Sequence, residues 1–209
     1  MRRALFAAAF FFLTAARAAA DAPFRQVATA APEQQQPEVL LGDPIVHGGY
    51  GGPRVAFGRV AAREAVIVGG EGGWIVNHRF ILGGAGYGLV TNQPAPGVYS
   101  ATEDLTMGYG GCLIGYTLMP QRLVHATFTA LIGAGGLGTK GRMHGGNSDL
   151  GDTFFVLEPT ATVELNVARH FRVGVAASYR WVRGVETEGM KNGDLSGLFG
   201  SMVLKFGKF

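Results

Sequence analysis

After Pro44 the chain alternates apolar and polar positions in stretches of strand length. In 171–183, Phe171, Val173, Val175, Ala177, Tyr179 and Trp181 share one parity. Arg172, Gly174, Ala176, Ser178 and Arg180 share the other. Successive side chains of a strand point to opposite faces, so this segment has one apolar and one polar face. In 152–168, Phe155, Leu157, Ala161, Val163, Leu165 and Val167 oppose Glu158, Thr160, Thr162, Glu164 and Asn166. In 122–132, Val124, Ala126, Phe128, Ala130 and Ile132 oppose His125, Thr127 and Thr129; in 64–76, Val66, Val68, Trp74 and Val76 oppose Glu71. No long stretch has helical periodicity. The pattern predicts about eight strands, over 45–58, 64–76, 79–90, 103–118, 122–136, 152–168, 171–183 and 195–208.

The connections alternate as well. Asn77-His78, Pro120-Gln121 and Arg169-His170 are tight, whereas Thr91–Thr102, Leu137–Gly151 and Gly184–Asp194 are longer and polar. Short turns at one end and long loops at the other are the plan of an outer-membrane barrel. The expected fold is therefore all-β, a closed antiparallel up-and-down transmembrane barrel of about eight strands. Arg59–Arg63 is short for an external loop. Pro53 and Pro159 remove ladder donors, which predicts bulges there or a first strand that begins after Pro53.

Closure would turn the polar faces inward and collect Glu71, His125, Glu158, Glu164, Arg172 and Arg180 in one lumen. An eight-stranded interior is just wide enough to be filled by side chains. Buried charges must be paired, so these six residues are expected to form an internal polar network that closes the interior.

The N-terminal pattern differs. Met1-Arg2-Arg3 precedes an apolar run from Ala4 to Ala16, then Arg17 and the small residues Ala18-Ala19-Ala20. This is the three-part form of a secretory signal peptide. The expected organisation is a signal peptide over 1–20, a flexible periplasmic tail over 21–43 containing Ala-Pro-Glu-Gln-Gln-Gln-Pro, and the barrel over 44–209. Charge then changes meaning. The chain carries 18 Lys and Arg against 15 Asp and Glu, but Arg2, Arg3 and Arg17 lie in the leader. The remainder is neutral and has no basic stripe, which argues against a nucleic-acid partner. Charged residues make up only 16% of the chain, against about 25% in ordinary soluble domains.

The stretch Val68-Gly69-Gly70-Glu71-Gly72-Gly73-Trp74-Ile75-Val76-Asn77-His78-Arg79-Phe80, running on through Gly83-Gly84-Ala85-Gly86-Tyr87-Gly88-Leu89, resembles a hairpin of small eight-stranded outer-membrane β-barrel proteins. These are porin-like surface proteins that include anchors, adhesins and a few lipid-A-modifying enzymes. The resemblance implies the barrel fold and a place in the outer membrane of a Gram-negative cell, among its lipids. It transfers no catalytic residue. Many such barrels end on Phe, which the barrel assembly machinery reads. Phe209 supplies one, although its parity is opposite to that of Leu198, Met202, Leu204 and Phe206. A monomer is expected.

Little else points to chemistry. Gly133-Ala134-Gly135-Gly136-Leu137-Gly138 has dinucleotide-loop spacing, but Thr139-Lys140-Gly141-Arg142 follows as a loop where a helix is required. His125-Ala126-Thr127 puts an imidazole and a hydroxyl on one strand face, while the serine of barrel deacylases is absent. His144 and Asp149 share a glycine-rich loop, a weak metal signal. Gly73-Trp74 has the wrong spacing for a lipocalin. Cys112 reads as a small apolar strand residue. No cofactor, metal site or catalytic residue is expected. The reading is a non-enzymatic outer-membrane barrel whose external loops are available for binding. The alternatives are a lipid-A acyl hydrolase on the same barrel and a soluble periplasmic lipid-binding barrel.

Overall fold

The computed structural model describes residues 45–91, 103–141, 152–186 and 190–209. They form eight strands, β1(His47–Val60), β2(Arg63–Val76), β3(Phe80–Leu89), β4(Glu103–Leu118), β5(Val124–Gly141), β6(Asp152–Ala168), β7(Phe171–Arg183) and β8(Gly197–Lys208), with one short helix, α1(Asn192–Leu195), before β8. Each strand pairs antiparallel with the next, and β1 pairs β8, so the sheet closes in the order β1 to β8. The segments 1–20 and 21–43 lie outside the described residues, as do His144, Asp149 and most of the two longest loops.

The turns after β2, β4 and β6 lie at the end where β1 begins and β8 stops, called here the turn end. The connections after β1, β3, β5 and β7 lie at the loop end. Asn77 and His78 have φ of 51° and 59°, left-handed values suited to a two-residue hairpin. Asn77 also clamps the start of the barrel: its amide donates to the Val46 carbonyl at 2.8 Å, and its side-chain oxygen accepts from the Val46 amide at 2.9 Å.

Three expectations change. Neither proline makes a bulge. β1 runs unbroken through Pro53, and its register is the same on both sides of the residue. The β1–β8 ladder lacks pairs at Gly52 and Pro53, and the β6–β7 ladder lacks them at Glu158 and Pro159. The missing donors are thus absorbed by local gaps. The one register shift of β6–β7 lies at Asn166/Ala168, beside the turn. Second, Leu137–Gly141 is strand: it extends β5 and pairs Glu103–Met107. Third, the first connection is only Ala61-Ala62, at φ of 49° and 61°, and the Ala61 amide donates to the Asp194 carbonyl at 2.7 Å. That bond ties an otherwise unfavourable left-handed alanine turn to the loop carrying α1.

Burial follows parity. In β7, Arg172, Gly174, Ala176, Ser178, Arg180 and Val182 are buried, while Val175, Tyr179 and Trp181 are exposed. The outward face is largely apolar, with Phe57, Phe155, Tyr179 and Trp181 near the loop end and Trp74, Phe80 and Phe206 near the turn end. Val76 at the end of β2, and Gly136 and Gly138 near the loop end of β5, are buried despite their outward parity.

Glycine divides by face too. A Cβ on inward Gly83 would overlap the Gly72 carbonyl, and one on Gly52 the Leu204 carbonyl. Outward Gly86 would meet nothing within 4 Å.

Candidate functional site

All six residues assigned to the polar face, Glu71, His125, Glu158, Glu164, Arg172 and Arg180, are buried inside the barrel. β2, β5, β6 and β7 present them inward because each sits on the parity opposite to its strand's large apolar residues. Arg54 of β1 and Lys205 of β8 join them.

Three carboxylates organise the cluster. Glu158, on β6, accepts from Arg54 Nη2 at 3.2 Å, Arg180 Nε at 3.2 Å, the Ser178 hydroxyl at 2.9 Å and the Tyr109 hydroxyl at 2.8 Å. Glu71 accepts from the hydroxyls of Tyr87 at 3.0 Å and Tyr50 at 3.4 Å, with Arg54 Nη1 at 3.7 Å and Lys205 Nζ at 3.5 Å. Glu164 accepts from Lys205 Nζ at 2.7 Å, with His125 Nε2 at 3.2 Å and Arg172 Nη1 at 3.7 Å. Arg54 and Lys205 each span two carboxylates, so the pairs are one connected network. Such groups persist in a dry interior only when nearly every donor and acceptor is satisfied. Among the described residues, His125 Nδ1, Arg172 Nε and Arg180 Nη1 are the buried side-chain polar atoms without a partner.

Aromatic rings finish the cations. The Arg180 guanidinium lies over Phe199 at 4.1 Å and Tyr109 at 4.4 Å, Lys205 Nζ over Tyr50 at 4.5 Å, and Arg172 over Phe209 at 3.8 Å. Each ring offers its negative face to a buried charge. Phe209 therefore packs inward, against Tyr50, Ile75 and Ile81 at the turn end, as its parity relative to outward Phe206 requires.

The loop-end half of the lumen is apolar. Val60, Ile67, Leu105, Met107, Leu137, Val156, Val182 and Phe199 belong to one buried cluster, Leu195 of α1 and Met190 extend it, and Leu113 and Leu131 carry it along one wall to the level of Glu158. The charged network is thus closed by hydrocarbon toward the loops and by the Tyr50–Phe209 group toward the turns.

Arg54, Lys205 and the tyrosines were not singled out from sequence. The signal existed for two of them. Lys205 lies between Leu204 and Phe206, and Arg54 precedes the apolar-alternating Val55-Ala56-Phe57; parity alone places both inward. Pro53 beside Arg54 obscured where β1 begins. The chemistry available at His125 is limited by the same geometry. Its partner Glu164 is within reach, but the Thr127 hydroxyl is 3.2 Å from that of Thr117, and all of these groups face the lumen. The Gly133–Gly138 stretch lies within β5 and opens no helix. Among the described residues no group of three His, Cys, Asp or Glu side chains could hold a metal ion.

Comparison with known proteins gives no match among protein-family models and none among curated proteins. Solved structures do match. Neisserial surface protein A superposes with a TM-score of 0.55 at 13% identity, over 79% of this chain and 99% of that one. Ail, the attachment invasion locus protein of Yersinia pestis, aligns with a TM-score of 0.42 at 11% identity, over 77% of this chain and 95% of that one. The likeness to the neisserial protein is one of fold: the chain is a small eight-stranded barrel of the outer-membrane type.

Proposed function

We propose that the chain is a non-enzymatic barrel of the outer membrane, its turn end in the periplasm and its loops at the cell surface, where they carry its contacts. One observation supports this above all: the ion pairs are sealed inside the barrel while its outward face is apolar. Large apolar side chains including Phe57, Leu82, Phe128, Val163, Val175 and Met202 are exposed on the outward face of every part of the sheet, while the ion pairs are sealed in the lumen. A water-soluble barrel would do the reverse, since contiguous exposed apolar surface of this extent is found where lipid or a partner covers it. The strands have 10 to 18 residues, at or above the roughly 9–11 that a tilted strand needs to span hydrocarbon. Aromatics near both ends fit the two interfaces of a bilayer.

In this reading the lumen network is structural. It holds opposite walls of the barrel together, and among the described residues the apolar half closes the loop side. The burial of His125 and Thr127 inside the wall keeps them from a lipid outside it, which favours the non-enzymatic reading over an acyl hydrolase. Cell fractionation tests the location. The protein is expected with the outer-membrane fraction and should shift in gel mobility on boiling. Recovery in the soluble periplasm would exclude the reading. For the enzymatic alternative, mass spectra of lipid A with and without the protein are expected to be identical.

A further inference from the structure

The turn end carries a feature that the structural role of the lumen does not use. Aromatic pairs cover three of the inter-strand seams there: His47 and Trp74 stack at 5.4 Å between ring centres, Phe80 and Tyr116 meet edge-on at 5.0 Å, and Phe171 and Phe206 stack at 4.9 Å. Where β4, β5 and β6 meet, no such pair occurs among the described residues. Instead a crevice of about 300 Å³ opens, lined by Leu118, Met119, Val124, Ala126 and Val163, with Arg122 at the turn; the His125 side chain behind it stays fully buried. Its walls are almost wholly apolar, and Val163 and Met119 are more than half exposed.

The turn that carries Arg122 is held in place. Asn166 at the end of β6 donates from its side chain to the Arg122 carbonyl at 2.7 Å and the Pro120 carbonyl at 3.3 Å, and from its amide to the Leu123 carbonyl at 2.9 Å. Met119 is fixed at φ of 50°, a left-handed value that an unbranched non-glycine residue adopts only when its surroundings impose it. The backbone of Arg122 is therefore anchored. Its guanidinium has no hydrogen-bond or ion-pair partner among the described residues. Charge at this end is one-sided: Arg79, Arg122, Arg169 and Lys208 are exposed, and among the described residues of the turns and strand ends there is no Asp or Glu.

We propose that this crevice binds one anionic glycerophospholipid, its phosphate on the Arg122 guanidinium and an acyl chain along Leu118, Met119, Val124 and Val163. Arginine presents a planar fork that matches phosphate oxygens, and a pinned turn lowers the entropic cost of engaging them. The inference rests on the membrane reading above, which puts the turn end in the periplasmic leaflet, where glycerophospholipids lie.

The test uses the full chain folded in detergent micelles with equal amounts of phosphatidylglycerol and phosphatidylcholine of the same acyl chains, read by native mass spectrometry. One phosphatidylglycerol should be retained in about fivefold excess over phosphatidylcholine, as one interfacial basic residue suggests. Arg122→Gln should remove that excess, Arg169→Gln should keep it, and Val163→Trp should lower retention of both lipids by filling the crevice. Equal loss in Arg122→Gln and Arg169→Gln would overturn the site in favour of a diffuse basic rim. Displacement of the lipid by millimolar inorganic phosphate would overturn it in favour of simple anion binding. The heat-dependent mobility shift, recorded on the same samples, separates the two levels. A barrel that shows the shift without lipid preference overturns the crevice alone; one that never shows it overturns the membrane reading with it.

Discussion

The two halves of the lumen are enclosed by the same eight strands yet are built of opposite materials. Toward the turns, Glu71, Glu158 and Glu164 face Arg54, Arg172, Arg180, Lys205 and His125. Toward the loops, Ile67, Leu105, Leu137, Val156 and Phe199 fill the space with hydrocarbon. The apolar half is held by many small and interchangeable contacts. The charged half is held by few contacts, each of which leaves a bare charge if its partner goes. A buried ion pair is weak evidence for stability as such, because desolvation offsets the attraction, but removing one member is costly. The charged half should therefore fix which walls face each other, and the apolar half should supply bulk cohesion.

The sharpest break of the comparison is Glu158→Ala. It strips Arg54 and Arg180, both almost fully buried, of their shared carboxylate, and should destabilise the folded barrel by about 3–5 kcal/mol, measured by urea unfolding in vesicles. Ile67→Ala in the other half should cost less, toward the lower end of the roughly 2–5 kcal/mol of buried aliphatic truncations, since it leaves a void but no charge. Sharpening comes from coupling. Glu164→Gln and Lys205→Met, whose side chains meet at 2.7 Å, should be non-additive by roughly 0.5–3 kcal/mol in a double-mutant cycle. Additive costs would mean that the ion pair contributes nothing beyond its separate parts. The smallest effect extends the comparison from the halves of the lumen to the two faces of the sheet. Outward Gly86→Ala has open space and should be neutral or stabilising by at most about 1 kcal/mol. Gly83→Ala, facing inward onto the Gly72 carbonyl, should destabilise clearly more.

Much of this was legible from spacing. The period-two pattern of 171–183 and 152–168 carries the strand limits of β6 and β7 and the inward position of Arg172, Arg180, Glu158 and Glu164, because a strand allows only two faces. Legibility failed where that signal thins. In the glycine-rich stretches, Tyr87 and Tyr109 stand among residues with no side chain to mark parity, so their hydroxyls on Glu71 and Glu158 were not foreseen. At Pro53 the rule that proline breaks a ladder proved too coarse: the barrel tolerates a missing donor by leaving two adjacent pairs unmade on one side while the other side keeps its register. The division of the lumen into charged and apolar halves depends on the height at which each inward residue sits. That height follows from register between strands, which no single strand's pattern contains.

The central claim is that the outward face meets lipid. The chain's two tryptophans report on it directly. Trp74 and Trp181 are 47% and 48% exposed, on outward positions two residues from the turn end of β2 and the loop end of β7, respectively. Their fluorescence should be quenched in vesicles of phospholipid brominated near the headgroup end of the acyl chains, more weakly by bromine near the chain ends, and hardly at all by aqueous iodide. Strong iodide quenching with no response to brominated chains would contradict the account.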